Sequence, residues 1–208
     1  MPLARRRRDA PLEPEIETMR IPLWSWTLAA FLLLVPSLLW GGGALLVDTD
    51  GTPFRWSVDE PVRWNPDQGT LGKLSHEEAV ALVESSFQAW ADIETAALTF
   101  EQGNEMPVDV GANNFNTFLG RCDTRNPIVF DTDGSLIDRL SGQGASCFLL
   151  GFASPECIST SEPIIREGFA VINGALLDGN FANCENSADD MVLTMIHEFG
   201  HMLGLAHS

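Results

Sequence analysis

His197-Glu198-Phe199-Gly200-His201-Met202-Leu203-Gly204-Leu205-Ala206-His207 stands one residue short of the end of the 208-residue sequence, and its spacing decides how the rest is read. His197 and His201 are four residues apart, so on a helix both rings leave one face a single turn apart, as two ligands of one ion require. Glu198 lies beside them, placed to reach a water on that ion without ligating it, which is where a general base belongs. Gly204 can adopt a left-handed conformation and end the helix, letting the chain swing His207 back as a third ligand. Three imidazoles leave one tetrahedral position open, the feature that separates a catalytic zinc from a closed structural one.

Five specified residue types at these spacings arise by chance on the order of once in a hundred thousand chains of this length. Three of the four histidines fall in the motif. The fourth, His76, stands at the start of a predicted helix and reads as a surface residue.

The eleven residues resemble the zinc motif H-E-x-x-H-x-x-G-x-x-H of the metzincin proteases. Ser208 after the third histidine, and Phe199-Gly200 between the first two, are similar to the matrixin branch. A weaker resemblance to bacterial matrixin-like catalytic domains covers residues 54–208, through Pro61-Val62-Arg63-Trp64, Phe87-Gln88-Ala89-Trp90 and Leu98-Thr99-Phe100. It implies a zinc metalloendopeptidase acting on extracellular proteins, with His197, His201 and His207 as zinc ligands and Glu198 as the catalytic base. It also implies that Ile128-Val129-Phe130-Asp131 is a central strand and Ala170-Val171-Ile172-Asn173 an edge strand, with residues 169–177 pairing with substrate backbone. The family's lower subdomain, with its Met-turn, would follow the third histidine. Met191, Met195 and Met202 all lie on or beside the zinc helix, so the expectation is an incomplete catalytic domain over residues 48–208, a fragment of a longer one. No Pro-Arg-Cys-Gly-type segment precedes Phe54, so latency through a thiolate is not supported. The rival from another class is a non-catalytic zinc-binding or adhesion module derived from the same fold. Intact Glu198 argues against it, since a structural site needs no base.

The N-terminal part predicts where such a domain would work. Residues 1–20 form a basic head with Arg5, Arg6, Arg7, Arg8 and Arg20, and residues 21–47 carry no charge. That apolar run reads as a signal peptide, ended by Pro36 and followed by Gly41, Gly42, Gly43 and Ala44, or as an uncleaved membrane anchor. Either places residues after 48 outside the cytoplasm. Beyond residue 47, the remaining seven of 12 basic residues face 25 of the 29 acidic ones, a surface that repels nucleic acid. The expected partner is a protein or peptide substrate.

Cys122, Cys147, Cys157 and Cys184 all follow the export segment, an even number in an oxidising compartment. Three pairings are open; short spacing favours Cys147 with Cys157, leaving Cys122 for Cys184. None has the spacing of a cysteine zinc site.

The predicted fold is α+β: a twisted mixed sheet with a long early helix and the motif helix at the C-terminus. Residues 54–57 and 62–65 alternate as two short strands. Ser75-His76-Glu77-Glu78 opens a helix with a capping box, and Ala79, Leu82, Val83, Phe87 and Trp90 make its apolar stripe to about Ile93. Residues 98–100, 108–110, 127–130 and 168–173 read as strands, residues 111–120 as a loop, and the last helix begins near Ser187 or Asp189. In Asp131-Thr132-Asp133-Gly134-Ser135-Leu136-Ile137-Asp138, the carboxylates Asp131, Asp133 and Asp138 are candidates for a structural calcium. An Asp-Gly turn after a strand is the alternative, since the terminal Glu of an EF-hand loop is lacking.

Overall fold

The computed structural model describes residues 42–179 and 185–207, so the basic head, most of the apolar segment, Cys184 and Ser208 lie outside the described residues. Among the described residues no helix is long and apolar enough to cross a membrane. The compact unit is Gly41–Ser208. Residues 42–47, counted with the apolar segment in the sequence, therefore belong to the globular part.

The observed class is α+β, with a mostly parallel sheet and three helices among the described residues. The strands are β1 (Arg55–Trp56), β2 (Val62–Pro66), β3 (Phe100–Gln102), β4 (Pro127–Asp131), β5 (Gly151–Ser159) and β6 (Ile164–Asn173). The helices are α1 (His76–Ala91), α2 (Ser135–Ser141) and α3 (Ala188–Met202). The sheet runs β1-β6-β4-β2-β3, all parallel, and β5 pairs antiparallel with β6. Along β6, β5 covers one edge, while β1 and then β4 share the other.

Parallel strands covered on both faces read as continuous apolar runs, and β4 and β6 do. Ile128, Phe130, Ala170 and Ile172 point into the core beneath α1 and α3, while Val129 and Val171 join Leu136, Ile137, Met106 and Val110 on the opposite face. The capping box of α1 is present: Ser75 accepts from the Glu78 N–H, and the Glu78 carboxylate accepts from the Ser75 N–H. Ala79, Val83 and Phe87 of its stripe are buried. Phe87 stacks on Phe199 of α3 with ring centroids 4.1 Å apart and planes 8° from parallel. At about 0.5–1.5 kcal/mol beyond its area burial, such a pair helps fix the motif helix against α1.

Several expectations are overturned. Residues 108–110 form no strand, because the Val110 N–H donates to the buried Asp67 carboxylate instead of to a neighbouring strand. The stretch 169–173 is not an edge, since β5 lies along it. β5 was hidden by its composition, with Gly151, Pro155 and a register shift between Pro155 and Cys157. The turn after β4 runs directly into α2, in whose first turn the N–H groups of Leu136 and Ile137 donate to the Asp131 carboxylate. Cys157 pairs with Cys122, Cα atoms 5.4 Å apart, and not with Cys147. From Gly151 to Cys157, β5 is extended over roughly 20 Å at about 3.3 Å per residue, and it carries Cys157 away from Cys147, which is free and exposed.

Candidate metal centre

α3 begins with Ser187 accepting from the Asp190 N–H, and Asp189 and Asp190 complement the helix dipole in its first turn. It ends in a Schellman turn: the Gly204 N–H donates to the His201 carbonyl and the Leu205 N–H to the Gly200 carbonyl, each at 2.9 Å. Gly204 has φ +96°, as its place in that turn requires. The chain leaves the helix there and brings His207 back over the helix face. Trp56 Nε1 donates to the Met202 carbonyl at 3.2 Å, and Trp90 Nε1 to the Ile196 carbonyl at 2.9 Å, so two indoles hold the helix on either side of the histidines.

The three imidazoles converge. His197 Nε2 and His207 Nε2 are 3.0 Å apart, His201 and His197 3.1 Å, and His201 and His207 2.9 Å. Ligands held about 2.05 Å from one tetrahedral ion would stand roughly 3.3 Å apart, so the trio fits zinc closely. His201 Nδ1 lies 2.7 Å from the Leu205 carbonyl. A carbonyl only accepts, so Nδ1 carries the proton and Nε2 presents its lone pair inward, the tautomer a metal needs. One proton could bridge two of these nitrogens but not all three. Among the described residues no other group of three His, Cys, Asp or Glu side chains meets this way.

The carboxylates named for calcium accept backbone hydrogen bonds. Asp131 accepts from Leu136 and Ile137, Asp133 from Ser135, and Asp138 from Ser146, all backbone N–H groups. They act as turn and cap acceptors. His76 is half-buried, with Nδ1 3.2 Å from the Gly69 carbonyl and Nε2 3.1 Å from Glu105, and takes no part in the trio. Met191, Met195 and Met202 are buried in the core under α3.

Glu198 is 8% exposed and lines a cavity of about 620 Å³ together with the three histidines, Leu193, Thr194 and residues 148–153. Burial pushes its carboxyl above the usual range, and His201 and then His207 pull it partly back. The cavity therefore sets a proton acceptor of raised basicity beside the point where the imidazoles meet. Its other wall is the start of β5, whose outer edge has no strand partner among the described residues. Phe148, 77% exposed, and Leu193, 66% exposed, flank it with apolar surface.

All four residues named from the motif are thus brought together. Sequence reasoning missed Trp56, the Leu205 carbonyl and the β5 wall. Backbone carbonyls leave no signature in residue types, and β5 carries only a weak strand pattern. Comparison with protein-family models, with curated proteins and with solved structures finds no match.

Proposed function

We propose that this chain is the zinc-binding part of a metzincin-like, matrixin-type metalloendopeptidase that cleaves extracellular proteins. The observation that carries the reading is the convergence of three imidazole nitrogens beside a buried glutamate at the wall of an open groove. Zinc in that trio would acidify a water and polarise a peptide carbonyl. The remaining work belongs to the chain. His201, with Nδ1 tied to Leu205, keeps its lone pair inward. Glu198 takes the proton of the attacking water on its carboxylate and returns it to the departing amine. Its raised basicity, caused by burial, suits a group that takes up a proton and returns it. An extended peptide would add as a strand to the free edge of β5, with apolar side chains against Phe148 and Leu193.

The test is a pair of variants assayed for zinc content and for cleavage of an unfolded protein. Glu198→Ala should keep zinc and lose turnover by at least about a hundredfold, while His201→Ala should lose both. Full turnover in Glu198→Ala would sink the assignment. Zinc without turnover in the wild type would favour the binding-module alternative.

A further inference from the structure

We infer that residues 42–46 are a backbone strap that positions two of the three histidines, so that the N-terminal edge of the globular unit is part of the metal site. The inference rests on the metal reading above. Ala44 and Leu205 form an antiparallel bridge. The Leu45 N–H donates to the Gly204 carbonyl at 2.7 Å, and the Ala206 N–H donates to the Gly43 carbonyl at 2.8 Å. These two bonds bracket Leu205, whose carbonyl accepts from His201 Nδ1. The strap thereby fixes the acceptor that sets the His201 tautomer, and it holds the peptide directly before His207.

The other bonds of this turn do not do the same. Gly204 and Leu205 return their N–H groups to the end of α3, whereas the Ala206 N–H meets the Gly43 carbonyl. Past Leu205 the path towards His207 is held from the strap. The strap is itself anchored. Leu46 packs against the main core, its carbonyl accepts from the Phe54 N–H at 3.0 Å, and Val47 bridges to Pro53. At its other end it lies so close to the ligand turn that a side chain at Gly42 would collide with the Ala206 carbonyl.

The physical consequence is pre-organisation. A loop that must be ordered when metal arrives costs affinity through lost backbone freedom, and a loop already pinned on both sides of its ligand carbonyl does not. The competing reading is that the strap merely closes an edge of the fold. The two differ in what happens to metal affinity when the strap's bonds to the turn are disturbed but the rest of the fold is kept.

The experiment uses the full chain stripped of metal, with zinc affinity measured by competition against a chromophoric chelator and the cobalt(II) absorption spectrum as a second readout. Leu45→Pro removes the donor to Gly204, and Gly42→Val crowds the Ala206 carbonyl while leaving every hydrogen-bonding group in place. Both should weaken zinc by about tenfold or more, the usual size of an outer-shell effect, and alter the cobalt spectrum, with the metal-free melting transition still cooperative. Asp48→Ala, which loosens the neighbouring turn by removing the acceptor for Asp50 and Thr52, should keep wild-type zinc affinity. Should Leu45→Pro fail to fold, Gly42→Val decides. Unchanged affinity in the strap variants, or an equal loss in Asp48→Ala, overturns the strap. If wild type and His207→Ala bind zinc equally, the metal reading fails first, and the strap with it.

Discussion

Asp67 is fully buried at the end of β2, where its carboxylate accepts N–H bonds from Gly69, Val110 and Phe130. Burial pushes its carboxyl from the ordinary 3.8 up to about 7; the backbone donors oppose this, and Asp109 adds to it. A folded pKa above the unfolded one means that the native state holds the proton more tightly, so the group's contribution is complete below the lower value. It is lost as pH rises through the upper one. Stability should therefore fall between about pH 4 and about pH 7 on account of this residue. Asp67→Asn, which cannot ionise, should flatten that fall even while weakening the local bonds. Urea midpoints across the window check it, and an undiminished slope in the variant overturns the assignment. Nothing in the sequence marks Asp67, because Asn65-Pro66-Asp67-Gln68-Gly69 reads as an exposed turn. Only the arrival of Val110 and Phe130 buries it. The histidine trio differs: residue type and spacing alone single it out, since two imidazoles one helical turn apart leave the same face.

At the scale of elements, α1, β2, β4 and α3 were legible because each carries a periodic apolar pattern or a cap that acts within a few residues. β5 was not, and the consequence is functional. The groove wall lies on β5, one strand further out than residues 169–173 suggest. The same strand sets the disulfide, bringing Cys157 to Cys122 and carrying it away from Cys147. That bond spans 35 residues of sequence, so its loss should cost about 3–4 kcal/mol by loop-closure entropy. Cys122→Ser should lower the melting temperature accordingly while Cys147→Ser does not, and peptide mapping of the oxidised protein should recover the 122–157 pair. A 147–157 peptide would contradict the topology. Because Cys157 sits on the strand that walls the groove, reduction should also loosen that wall.

For the whole molecule, the apolar segment and the globular unit overlap by the strap. Residues 42–47 have the composition of an export segment, yet they dock on the turn that carries His207. If the apolar segment is cleaved on export, the mature chain should keep Gly43 and Leu45, which N-terminal sequencing of that chain checks. A mature chain beginning after Leu46 would lack both bonds to residues 204–206.

The sequence alone determined the local items: the histidine trio, the glutamate beside it, the glycine that ends the helix, and the α+β class. Each depends on residue type and on periodicities of 3.6 or 2, which act over a single turn or strand. Only the tertiary structure decided which strand walls the groove, which cysteines meet, that Asp67 is buried, and that residues 43–45 bond to residues 204–206. Those outcomes come from pairing between segments far apart in sequence, through backbone N–H and C=O groups that every residue shares and that residue types do not announce.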